Sequence, residues 1–180
     1  MRLQNKVAII TGGSRGIGYA TADAFLREGA TVILTASTQA SADKAVSSLK
    51  EKYPQATVVG ICPDLSSLES VRNAFIIATA QYGCVDILVN NAGVSAREPI
   101  TSYTTEMFAQ TMDLNVTAVF NCSRAVVDQM ISQHSGSIIS TSSMVSKYAQ
   151  PSGIAYPTSK FAVNGLLWHW LANLLHKVSE

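Results

Sequence analysis

Tyr156 and Lys160 stand four residues apart, and Ser143 lies thirteen residues before the tyrosine. If Tyr156 opens a helix, Lys160 falls one turn further along the same face, where its ammonium stands near the phenol and favours the phenolate. An unperturbed tyrosine has a pKa near ~10, too high for efficient proton transfer at neutral pH, and a fixed neighbouring cation corrects that. The pair therefore reads as a general acid–base. Tyr-x-x-x-Lys alone also describes ordinary surface pairs on helices. Its position singles this one out, because it follows an apolar segment ending in Ser142-Ser143 in a chain that carries a second chemical element near its start.

That element is Thr11-Gly12-Gly13-Ser14-Arg15-Gly16-Ile17-Gly18. Before it runs the apolar Val7-Ala8-Ile9-Ile10, of buried-strand type; after it Ile17, Ala20, Ala24 and Phe25 recur at helical spacing. Glycines between a strand and a helix let the chain turn tightly and let a pyrophosphate approach, with free N–H groups of the helix N-terminus facing the anion. Gly12, Ser14, Arg15, Gly16, Ile17 and Gly18 are the candidate contacts to a dinucleotide. The spacing is Gly-x-x-x-Gly-x-Gly rather than Gly-x-Gly-x-x-Gly, and no Gly-Lys-Ser/Thr follows, which excludes a P-loop.

Such a site must be completed by the ends of the following strands. The second, Thr31–Thr35, ends in Ala36-Ser37-Thr38 without an acid. A carboxylate there would repel the 2′-phosphate of NADP, whereas Ser37 and Thr38 leave room for it. Arg15 could supply its bidentate partner, or could simply be solvated. NADP is read ahead of NAD. At the third strand, Asp64-Leu65 stands as an adenine contact, with a turn or cap role for Asp64 as the alternative.

Helix faces at Ala42, Ala45, Val46, Leu49 and at Leu68, Val71, Phe75, Ala78 alternate with strands at Ala56–Cys62, Asp86–Asn90 and Gly136–Thr141. Near-continuously apolar strands separated by helices predict an α/β fold, a Rossmann-type doubly wound parallel sheet in three αβα layers. With 180 residues, 47% of them hydrophobic, a single domain over 1–180 is expected. A net charge of +1 without a Lys/Arg cluster argues against nucleic acid and acidic membrane surfaces and favours a small-molecule substrate. No signal-peptide core or membrane-length apolar run is read, so a cytoplasmic protein is expected. Cys62, Cys84 and Cys122, lacking metal or redox spacing, are expected to be buried reduced thiols, and no metal site is read.

Thr11–Gly18, Asn90–Gly93, Asn115, Ser143 and Tyr156-Pro157-Thr158-Ser159-Lys160 occur in the order found in short-chain dehydrogenase/reductases, and the chain resembles that family from about Lys6 to about Gly165. The resemblance implies that Tyr156 exchanges a proton with the substrate oxygen and that Ser143 positions that oxygen. Lys160 would bind the nicotinamide ribose and lower the tyrosine's pKa, and Asn115 would anchor a water in the proton relay. Asn91, Ala92 and Gly93 would line the ribose side of the cofactor. Without the family, Asn115 is an unremarkable polar residue. The texture is similar to 3-oxoacyl-carrier-protein reductases and bile-acid hydroxysteroid dehydrogenases, which implies hydride transfer between NADP(H) and a carbonyl or secondary alcohol. A non-catalytic dinucleotide-binding or assembly module is the rival reading, and an intact member is expected to be a homodimer or homotetramer.

The chain also departs from the pattern. Family members continue into a sixth strand, a substrate-covering segment and a seventh strand, which do not fit after Gly165. The segment 165–180 is atypical, holding both tryptophans and two of the three histidines. Trp168-His169-Trp170 read in a shifted frame yields Ala-Leu, as the family has here. A frameshifted, truncated reductase is expected, with a variant amphipathic helix as the alternative. A sheet without its last two strands is expected to leave the fifth strand with an open edge, to self-associate, and to bind NADP weakly with little or no turnover.

Overall fold

In a computed structural model of the chain, residues 1–178 are described, with side chains through Trp170. The path divides into two compact units: Met1–Ala92 with Asn121–Thr141, and Gly93–Phe120 with Ser142–Glu180. Each is taken by itself.

The first unit alternates β1 (Val7–Ile10), α1 (Gly16–Arg27), β2 (Thr31–Thr35), α2 (Gln39–Lys52), β3 (Val58–Ile61), α3 (Leu68–Thr79) and β4 (Ile87–Asn90). Most of α5 (Ala118–Ser132) and then β5 (Ser137–Ser140) follow. The strands form one parallel sheet in the order β3-β2-β1-β4-β5. Both faces are covered, as the apolar strands require. Ile10, Val32 and Leu34 pack with Ala22 and Leu26 of α1 and Ala42, Ala45 and Leu49 of α2. The alternate residues Ile9, Ile33 and Leu88 pack with Val71 and Phe75 of α3 and with Cys122 and Val126 of α5. This is the expected Rossmann-type layering. The chain departs from β1 toward β2 on one side and toward β4 on the other, so the order reverses beside the C-terminal end of β1, where open α/β sheets bind ligands.

Several local expectations are corrected. The inner face of α1 is Gly18, Ala22 and Leu26, not Ile17, Ala20 and Ala24; Ile17 is 68% exposed. Two apolar stripes compete on this helix, and the one with small residues wins because it must lie close against the strand-end backbone. β3 is shorter than Ala56–Cys62, since Ala56 N closes a turn onto Tyr53 O at 3.0 Å. β4 begins at Ile87 because the Asp86 carboxylate is used on β1, accepting from Val7 N at 2.9 Å and Lys6 Nζ at 2.8 Å. β5 likewise spans only Ser137–Ser140. Cys122 is buried, whereas Cys62 and Cys84 are exposed at loop positions outside the strands and helices.

The second unit is irregular. It contains a 3-10 turn (Ile100–Ser102), α4 (Thr105–Met112), a π-helical turn (Asp113–Thr117), the first three residues of α5, a second 3-10 turn (Met144–Ser146) and α6 (Ala155–Val178). Thr104 caps α4, accepting from Met107 N at 3.2 Å. Sequence periodicity offers no sign of the π turn. The atypical segment continues α6 to Val178 without a break. Trp168 is 76% exposed, and the Trp170 ring stands 6.0 Å from that of Phe120. The side chains of Leu171, Leu174 and Leu175, apolar residues of the tail that would join the open edge in self-association, lie outside the described residues. Among the described residues no helix is long and apolar enough to cross a membrane.

Candidate active site

The glycine turn is built around Thr11. Its hydroxyl accepts from Asn91 N and Ala92 N, both at 3.0 Å, while Asn91 Nδ2 donates to Thr11 O at 3.1 Å and Gly12 O at 3.3 Å. Asn91 and Ala92 thereby fasten the end of β4 to the turn after β1. On the other side Gly12 N donates to Thr35 Oγ1 at 3.2 Å and Gly13 N to Thr35 O at 2.9 Å. Sequence reasoning includes Thr11 in the motif but gives no role to its hydroxyl or to Thr35; a β-branched hydroxyl at each strand end is the only signal of either.

The turn fits a pyrophosphate. Gly16 has φ +56°, and a Cβ placed there would meet nothing within 4 Å, so this left-handed position opens onto free space. At Gly18 a Cβ would overlap Gly12 O, which is why α1 can start so close to the strand end. Arg15 is the residue before α1, extended and without a side-chain cap bond, and Tyr19 N is the donor to Arg15 O at 3.2 Å. The N–H groups of Gly16, Ile17 and Gly18 precede that bond and have no intrahelical acceptor, and the positive end of the helix dipole adds to them. Ser14 is half-buried and Arg15 exposed in the same turn.

The other adenosine-side candidates carry structural duties. Ser37 is exposed; Thr38 caps α2, with Thr38 Oγ1 accepting from Ser41 N at 3.2 Å. Asp64 closes its own turn: its carboxylate accepts from Ser66 N at 2.9 Å and Ser66 Oγ at 2.6 Å, which holds it below the usual carboxylate range. Leu65 packs on the inner core. Asn121, unforeseen, grips the same loop by donating from Nδ2 to Leu65 O at 3.0 Å and Ser66 O at 2.9 Å.

Asn115, Ser143, Tyr156 and Lys160 all fall in the second unit, with Gly93. Asn115 sits in the π turn with no solvent exposure. Its Oδ1 accepts from Val94 N at 2.8 Å and its Nδ2 donates to Val94 O and Ser159 Oγ, both at 2.9 Å. Gly93 lies against it: a Cβ on Gly93 would come 3.1 Å from Asn115 Oδ1 and 3.9 Å from Lys160 Nζ. Ser143 precedes the second 3-10 turn, its Oγ accepting from Val145 N at 3.4 Å, so its hydroxyl proton is not used by that bond.

Tyr156 is in the first turn of α6 and Lys160 is one turn on, with its Nζ 5.6 Å from the Tyr156 ring centroid. Lys160 is only 5% exposed, and burial pulls its ammonium below the ordinary lysine value. A cation held out of water beside a phenol, with a fixed amide close by, is equipped to move a proton at the tyrosine oxygen.

A cavity of about 400 Å³ in the same unit is lined by Ile100, Val145, Tyr148, Pro151, Ile154 and Phe161, among others. A larger one, about 620 Å³, lies in the first unit beside Ala30, Thr31 and Thr57, at the N-terminal ends of the strands and away from the ligand-binding ends.

Known proteins match this arrangement. The chain is 51% identical over 166 residues to a 3alpha-hydroxysteroid dehydrogenase of Mediterraneibacter gnavus, covering 92% of this chain and 66% of the relative. It is 34% identical over 174 residues to a 3-oxoacyl-(acyl-carrier-protein) reductase of Thermotoga maritima, covering 97% of this chain and 70% of that one. The crystal structure of an NAD+-bound xylitol dehydrogenase superposes with a TM-score of 0.87 at 34% identity, over 92% of this chain and 64% of that chain. The chain thus spans about two thirds of the length of the curated relatives it matches. A family model described as short chain dehydrogenase matches residues 6–177, and with the glycine turn, the parallel sheet and the Tyr156–Lys160 pair in place, this chain belongs to the short-chain dehydrogenase/reductase family.

Proposed function

We propose that the protein catalyses reversible hydride transfer between NADP(H) and a carbonyl or secondary alcohol. The observation that carries this reading is the buried Lys160, its Nζ 5.6 Å from the centre of the Tyr156 ring. When bound, the reduced nicotinamide supplies the hydride. Tyr156 donates its phenolic proton to the substrate oxygen, and Ser143 donates a hydrogen bond to the same oxygen. Lys160 favours the resulting phenolate and reaches the ribose, and the carbonyl at Val94, held by Asn115, lies on the path by which a water returns the proton. The N-terminus of α1 holds the pyrophosphate, with Arg15 on the 2′-phosphate beside Ser37. Since the second strand ends without an acid, NADP is preferred to NAD.

The similarity to a 3alpha-hydroxysteroid dehydrogenase makes a 3-ketosteroid the first substrate to try. A 3-oxoacyl thioester is the second, on the similarity to the 3-oxoacyl reductase. A cytoplasmic homodimer or homotetramer belongs to the same proposal. The test, made on a full-length counterpart, is loss of reduced-nicotinamide absorbance with each substrate, alongside Tyr156→Phe. Turnover that survives unchanged in the variant refutes the assignment, and binding of NADPH without turnover of any ketone favours the non-catalytic module.

A further inference from the structure

Asn164 stands four residues beyond Lys160 on α6, continuing the spacing that places Lys160 after Tyr156. Its side chain touches both flanks of Ser143. Ser142 Oγ donates to Asn164 Oδ1 at 2.7 Å, and Asn164 Nδ2 donates to Ser146 Oγ at 2.9 Å. Ser146, buried, passes its own proton to Ser143 O at 2.6 Å. An amide NH2 only donates, so Ser146 Oγ is the acceptor in its bond with Asn164, as it is in a longer one from Ser142 Oγ at 3.3 Å, and its single proton is left for the Ser143 carbonyl. The chain of bonds therefore has one direction, from the amide through Ser146 to the Ser143 carbonyl, and successive bonds of one polarity reinforce each other. Ser146 N adds a second bond to the same carbonyl at 3.0 Å.

We infer that Asn164 is a positioning residue: it fixes the backbone of Ser143 from the helix that carries Tyr156 and Lys160, so that the serine hydroxyl and the phenol are held by one element. The inference rests on the hydride-transfer reading only for its kinetic consequence, since the geometry is independent of it. The isosteric Asn164→Asp keeps the acceptor for Ser142 but removes the donor. Ser146 Oγ–H then turns to the new carboxylate, and the Ser143 carbonyl keeps only its bond from Ser146 N. Ser146→Ala cuts the same link from the other end and guards against a folding defect peculiar to Asp.

The full chain and these variants are compared by amide hydrogen exchange at Val145, Ser146 and Lys147, and by NADPH-dependent ketone reduction. Asn164→Asp is expected to speed exchange at those amides about tenfold, as loss of one hydrogen bond implies, and to lower kcat about tenfold with KM for NADPH within about twofold. In a Ser146→Ala background the same substitution should add less than about twofold to either readout. Wild-type exchange in Asn164→Asp, or an undiminished effect in the Ser146→Ala background, overturns the inference. If the wild type reduces no ketone, the functional reading has failed, and the exchange cycle alone decides whether Asn164 positions Ser143.

Discussion

The two units differ in what holds each of them in shape. In the first, apolar strands and helices bury two clusters on either side of a parallel sheet, and the turn proposed to hold the cofactor is made of glycines that offer it backbone. In the second, the proposed reacting groups are side chains, and they are set by other side chains: Asn115 on Val94 and Ser159, Asn164 on Ser142 and Ser146. A dinucleotide turn made from backbone should tolerate changes in neighbouring side chains that leave its glycines alone. A proton-transfer site made from side chains should fail when a single amide is replaced. Each of the following substitutions tests that contrast.

The largest effect is expected for Tyr156→Phe, which removes the acid–base proton and should cut turnover by about 10²–10⁴-fold while leaving NADPH affinity nearly unchanged. Steady-state kinetics and fluorescence titration separate the two, and a matching loss of affinity would blur the distinction between the units. Next comes Asn115→Leu. It keeps the volume but removes the partners of the Val94 N–H and C=O and of Ser159 Oγ, at a cost of about 1–3 kcal/mol. A denaturant midpoint unmoved by this change would show that the second unit does not depend on its amides.

Arg15→Ala should weaken NADPH about 10–100-fold, the worth of a charge-assisted bond, and NADH hardly at all. Equal weakening would assign Arg15 to the pyrophosphate or to solvent instead. The smallest effects concern the cysteines. At neutral pH a thiol reagent should label Cys62 and Cys84 in the native protein and reach Cys122 only on unfolding. Burial pushes the Cys122 thiol up from 9.0 to about 12, so the folded protein keeps a proton that the unfolded chain loses. Its contribution is therefore complete below about pH 9 and is lost as pH rises toward about 12. Lys160 works in the opposite sense, since its lowered value makes stability rise with pH up to its ordinary 10.5. Denaturation at alkaline pH should consequently be less steep in pH for Cys122→Ala than for the wild type.

Much of the first unit was legible because its physics is local. The run Val7–Ile10, the glycines and the β-branched Thr31–Thr35 each state their conformation in adjacent residues. The inner face of α1 was not legible, since choosing between the Ile17 and Gly18 stripes depends on how closely the helix approaches Gly12 O, a tertiary distance. Asp64 left two readings open, and the structure uses its carboxylate in its own turn onto Ser66. The π turn that buries Asn115 was invisible for a related reason. One extra residue in a helical turn leaves the apolar pattern almost unchanged, and its stabilising partners, Val94 and Ser159, are 21 and 44 residues away.

The sequence by itself determined the alternation of strands and helices, the glycine turn and the one-turn spacing of Tyr156 and Lys160, all of which depend on neighbours within a few positions. Only the tertiary structure decided that Lys160 is buried, that Thr11 and Thr35 tie the turn to strand ends 80 and 23 residues distant, and that Asn164 reaches both sides of Ser143. Burial and hydrogen-bond partnership are properties of pairs far apart in the chain, and an amide that anchors a site is written in the sequence with the same letter as one that faces water.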